Sequence, residues 1–170
     1  MKKRTLTAMS LVVLALNAAA AAQADAAKTK ADKGRTDPKL VERGRYLVKT
    51  AGCNDCHTPG YAMTAGKVPE AQWLTGDRLG WRGPWGTTYP TNLRLYMRDM
   101  TEAQWLKRAK TMETRPPMPW FALRDMTDRD VRAIYHYVKA QGPAGEPAPL
   151  YVPPGKEPQT PYVQFPAAPK

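Results

Sequence analysis

Apolar positions recur at helical spacing in three stretches of the chain and run almost unbroken in a fourth. In DPKLVERGRYLVKTAG (37–52), Leu40, Gly44, Leu47, Val48 and Ala51 share one helical face. Asp37 is a favourable N-cap, Pro38 suits the first turn, and Gly52 is a natural stop. A mid-helix glycine costs about 1 kcal/mol relative to alanine, so Gly44 predicts the close approach of a second helix. The other two helix starts echo each other, RDMTEAQW and RDMTDRDV. Thr101 with Gln104 predicts a capping box and Thr127 with Asp130 a weaker one. Met100 is placed to staple onto Trp105, and Met126 onto Val131. The last helix is predicted over Asp128–Gln141, burying Val131, Ile134, Tyr135 and Val138 and leaving His136 off the stripe, near Arg132 and Lys139. No alternation of useful strand length appears, so the expected fold class is all-α.

The fourth stretch is of another kind. Met1-Lys2-Lys3-Arg4 precedes the apolar run Leu11–Ala22, and small residues then permit cleavage after Ala24 or Ala26. This predicts a secretory signal peptide over residues 1–24 and placement in the periplasm. An uncleaved membrane anchor is the rival reading, but the run is short for a span and a good cleavage site follows it. No stable membrane span is then expected after cleavage. Residues 25–36 are polar and rich in Ala and Lys, a flexible spacer. Residues 37–142 are the predicted folded domain, with a long Gly/Pro/Trp loop region over Gly76–Arg94 that needs something inside to pack against. Residues 143–170 hold nine of the seventeen prolines, and such a tail runs extended, over the domain or out to a partner.

The net charge of +11 falls to +8 when Lys2, Lys3 and Arg4 leave with the signal. Nucleic acid is a poor partner for an exported chain without a basic–aromatic motif. Redox protein partners with acidic docking surfaces fit the charge better, with solubility alone as the other reading.

Both cysteines of the chain lie in AGCNDCHTPG (51–60), as Cys53-x-x-Cys56-His57. This is the attachment motif of one c-type heme: two thiolates one turn apart reach the porphyrin vinyl groups, and the adjacent His ligates the iron. A zinc site lacks a second pair of ligands. A redox dithiol belongs in a βαβ fold, and a plain disulfide leaves His57 unexplained. The iron's other face has candidates in His136 and six methionines. His136 reads as a surface residue, Met100 and Met126 as staples, and Met63 follows His57 too closely. Met118, in RPPMPW, is held between Pro117 and Pro119 and lies 61 residues beyond His57, so it is the favoured ligand. Met112 is the runner-up and Met97 the third choice. Trp73, Trp81, Trp85, Tyr89, Trp105 and Trp120 are candidates for an apolar wall around the heme. Arg78, Arg82 and Arg94 are candidates to pair with its propionates or to remain solvated.

These features resemble a monoheme class I cytochrome c. They are most similar to the heme modules in cytochrome subunits of alcohol, aldehyde and gluconate dehydrogenases. The resemblance rests on the helix ending RGRYLV, CNDCH, the Leu74–Asn92 segment, the loop-borne Met-Pro and the closing helix MTDRDVRAIYHYVKAQ, and covers Asp37 to about Gly142. It implies a helical bundle whose first helix crosses the last, Cys53 and Cys56 as heme thioethers, His57 as proximal ligand and Met118 as distal ligand. The implied role is one-electron transfer between a dehydrogenase and a downstream acceptor, as a carrier and not an enzyme. The alternatives are a fixed cytochrome subunit of an oxidoreductase complex and an open-site heme sensor or peroxidase-like enzyme.

Overall fold

A computed structural model describes residues 37–166. The predicted signal peptide and spacer lie outside the described residues. Six α-helices are present among them: α1 Pro38–Thr50, α2 Cys53–His57, α3 Leu93–Tyr96, α4 Glu102–Thr111, α5 Trp120–Asp125 and α6 Asp128–Gln141. Three short strands complete the domain: β1 Gly80–Gly83, β2 Gly86–Thr88 and β3 Tyr162–Gln164.

The helix signals hold locally. Asp37 accepts from the Lys39 amide at 2.9 Å and caps α1. Gly52 ends that segment in the left-handed region at φ +75°. Thr101 and Gln104 form the full capping box of α4, and Thr127 accepts from the Asp130 amide at 3.2 Å to start α6.

Helix α1 crosses α6 in the largest helix–helix contact of the domain. The crossing explains Gly44. A Cβ there would overlap the Ala133 carbonyl and stand 2.7 Å from Tyr137 Cβ. The buried positions of α6 are Val131, Ala133, Ile134, Tyr137 and Val138. Tyr137, not Tyr135, is therefore the core tyrosine, because the Ala133/Tyr137 edge meets α1 at Gly44 and is buried along with Val131, Ile134 and Val138. Tyr135 is half-buried and donates its hydroxyl to the Met100 carbonyl at 2.9 Å. Helix α4 locks onto α6 through Trp105 Nε1, which donates to the Val131 carbonyl at 2.9 Å.

The Gly76–Arg94 region is more ordered than a loop. β1 and β2 pair as an antiparallel hairpin, with Trp81 opposite Thr88. β3, from the proline-rich tail, pairs parallel to β1 with Trp81 opposite Val163, so the sheet order is β2-β1-β3. The prolines confine β3 to the edge of the sheet, where an absent N–H is tolerated. Among the described residues no helix is long and apolar enough to cross a membrane.

Candidate functional site

Helix α2 is a single turn, and it carries Cys53, Cys56 and His57. Both cysteines are free thiols and half-buried. Burial pushes the Cys53 thiol up to about 11, and the Cys56 thiol is raised for the same reason. A redox-active dithiol needs the opposite shift, so that reading loses its chemistry. Among the described residues no group of three His, Cys, Asp or Glu is arranged to hold a metal ion.

His57 is buried, and its Nδ1 lies 2.7 Å from the Thr91 carbonyl oxygen. A carbonyl only accepts, so Nδ1 carries the proton and Nε2 keeps its lone pair. Burial lowers the His57 pKa, with the Thr91 bond opposing in part. The imidazole is thus neutral, in one tautomer, with one nitrogen free for a metal. The peptide is fixed from both sides: the His57 carbonyl accepts from the Gly76 amide at 2.9 Å. Thr58 Oγ1 accepts from the Leu74 amide and donates to Asn54 Oδ1, each at 2.8 Å. Leu74 is buried at φ +62°, and its carbonyl receives the Leu93 amide at 3.0 Å, which seats α3 beside the motif.

The methionines divide sharply. Met97 is fully buried, and Met100, Met112 and Met126 pack against the same core. Met63 is 91% exposed. Met118 is half-buried without belonging to the core, in the loop between α4 and α5. That loop is linked to the His57 side of the domain, because Thr88 Oγ1 donates to the Pro116 carbonyl at 2.8 Å and β2 leads directly to Thr91. His136 is half-buried rather than a surface residue, and its Nε2 is engaged by Glu102 at 2.7 Å.

Two of the three candidate arginines have protein partners. Arg82 pairs with Glu157 at 2.6 Å and with the Tyr162 hydroxyl at 3.0 Å. Arg94 is buried and donates to the carbonyls of Gly142, Ala71 and Gln141 at 2.6, 2.6 and 2.5 Å, closing the end of α6. Arg78 is exposed. Among the described residues four buried side-chain donors have no hydrogen-bond partner: Asn54 Nδ2 in the motif turn, Trp81 Nε1 in β1, Thr87 Oγ1 in β2 and Thr114 Oγ1 in the Met118 loop. A buried orphan donor of this kind fits an acidic group supplied from outside the chain. Of the other aromatic candidates, Trp73 and Trp105 are core residues, while Trp81 and Trp85 pack on Phe165 of the tail.

A helical domain with a C-x-x-C-H turn and a tautomer-fixed histidine fits a c-type heme-binding domain. The chain belongs to the cytochrome c family, whose model matches residues 41–142, and its cofactor is covalently bound heme c. The donor set fits that group: two free thiols one turn apart and a neutral imidazole with Nε2 available. The fructose dehydrogenase cytochrome subunit of Gluconobacter japonicus is 30% identical over 120 residues, covering 64% of this chain and 23% of that protein. A nicotinate dehydrogenase subunit of Pseudomonas putida is 26% identical over 129 residues, covering 68% of this chain and 10% of that protein. The chain thus spans less than a quarter of either relative's length. No solved structure matches. The family membership supports electron transfer through the domain's heme.

Proposed function

We propose that this is a periplasmic one-electron carrier whose heme c is attached through Cys53 and Cys56 and ligated by His57 and Met118. It passes electrons from a dehydrogenase to a downstream acceptor. The observation that carries the ligand assignment is the sorting of the methionines: four are committed to the core, one is exposed, and Met118 is half-buried and uncommitted.

When bound, the heme supplies an iron that cycles between the ferrous and ferric states. The chain's residues prepare for this in distinct ways. Cys53 and Cys56 retain the group covalently. Thr91, by holding Nδ1–H, presents His57 Nε2 as a neutral donor and fixes the ring plane. His57 and Met118 would hold the iron, and thioether ligation by Met118 would favour the ferrous state and raise the potential. Trp81 Nε1 is available to an acidic substituent of the group. The apolar sequence at the N-terminus supports export, and the excess of basic residues supports docking to acidic protein surfaces.

The test is optical. Ferric heme with a methionine ligand shows a weak charge-transfer band in the red, and Met118→Ala should abolish it. A band that persists in Met118→Ala returns the assignment to another methionine.

A second reading is favoured by the relatives, both parts of dehydrogenases: the protein is a fixed cytochrome subunit of an oxidoreductase complex. Stoichiometric co-purification with a dehydrogenase at high salt supports this reading, and release at moderate salt supports the shuttle.

A further inference from the structure

The tail after Gly142 lies beyond the matched cytochrome c domain, yet it reaches both sides of the site. It begins at Asn92, whose Nδ2 donates to the carbonyls of Ala144 and Glu146 at 2.8 and 3.1 Å while Oδ1 caps α3 at the Leu95 amide. Asn92 directly follows Thr91, the partner of His57. The tail then crosses β2. Thr87 and Val152 exchange backbone hydrogen bonds of 2.8 and 3.0 Å, and the Tyr151 hydroxyl donates to the Trp85 carbonyl at 2.8 Å. Gly86 is shaped for this crossing. Its φ is +94°, and a Cβ there would overlap the Val152 carbonyl and come within 2.9 Å of the Tyr151 ring. Beyond the crossing, the Arg115 guanidinium lies 4.0 Å from the centroid of the Tyr151 ring. Arg115 is three residues before Met118.

The loop itself has little means of holding shape. Pro116, Pro117 and Pro119 have no N–H to donate, so no backbone ladder can form across them. Its C-terminal end is held by the Trp120 and Ala122 amides, bonded to the Met118 and Pro119 carbonyls at 2.9 and 3.0 Å, while Pro116 and Arg115 are held from outside, by Thr88 and Tyr151.

We propose that the tail is a strap for the axial ligation, in which Tyr151, anchored on β2, is a positioning residue that stacks on Arg115 and keeps Met118 on the iron. This rests on the reading of Met118 as the distal ligand. The iron–thioether bond competes with exogenous ligands, and every open conformation available to the loop favours the competitor. Removing the stack widens that set without touching the heme.

The experiment titrates ferric full-length holoprotein with imidazole while following the red charge-transfer band. Tyr151→Phe keeps the ring over Arg115 but loses the hydroxyl bond to the Trp85 carbonyl, and should bind imidazole more weakly than Tyr151→Leu does. Tyr151→Leu loses the cation–π contact and should bind about threefold more tightly than the wild type. A chain ending at Gly142 should gain roughly tenfold or more, the sum of several lost tethers, with a weaker red band and a lower potential. Since Tyr151 is part-exposed, its variants should fold even if the truncated chain does not. Unchanged imidazole affinity in Tyr151→Leu, with the red band intact, overturns the strap. A wild-type red band that survives Met118→Ala overturns the ligand reading itself, and the strap with it.

Discussion

At the scale of single residues, the site depends on groups that remove alternatives. His57 has one tautomer because its Nδ1 faces a carbonyl, and Met118 is available because the other buried methionines are packed elsewhere. Arg94 works in the same way on the backbone: its fork meets three carbonyls where α6 ends. Lysine has no such planar fork, so Arg94→Lys should cost about 2 kcal/mol in denaturant unfolding while leaving the red band in place. The C-x-x-C-H motif was legible in the sequence because its chemistry is local, five residues in one turn. The partner of His57 was not, because Thr91 lies 34 residues away and contributes only a carbonyl, which every residue possesses. Arg94 was equally hidden, since a loop arginine looks the same whether it meets a propionate or a helix end.

At the scale of elements, the crossing of α1 and α6 sets the frame. Gly44→Ala places a methyl group against the Ala133 carbonyl, where no flexible side chain can yield. The expected loss is about 3 kcal/mol by chemical denaturation, well above the gain in helix propensity. Thr101→Ala, at the capping box of α4, should cost about 1 kcal/mol. The helix ends were legible because caps and glycines act within a turn. The tyrosine pattern of α6 was not fully so. A single apolar stripe selects Tyr135, but a helix packed on two sides also buries Ala133 and Tyr137, and only the position of α1 reveals the second side. The sheet escaped for a related reason: its strands have three or four residues each, and β3 lies more than seventy residues from β1.

At the scale of the whole molecule, the heme is expected to complete the core. The matched cytochrome c domain, residues 41–142, leaves Asn54 Nδ2, Trp81 Nε1, Thr87 Oγ1 and Thr114 Oγ1 buried without partners among the described residues, which fits a small domain completed by its cofactor. Cys56→Ser should therefore yield protein that is protease-sensitive and poorly folded by circular dichroism. A well-folded, protease-resistant apoprotein would contradict that. The chain's net charge of +11 bears on partners at the same scale. Electron transfer to an acidic redox protein should slow as ionic strength rises, whereas reaction with a neutral small-molecule oxidant should not. An equal salt dependence for both would remove the case for acidic docking.

The most direct measurement is the absorption spectrum of purified holoprotein in both oxidation states, alongside Met118→Ala. A heme held by His57 and Met118 predicts a low-spin spectrum in each state, with a weak red band in the ferric wild type that Met118→Ala loses. A high-spin ferric wild type, or a red band that Met118→Ala retains, would contradict it.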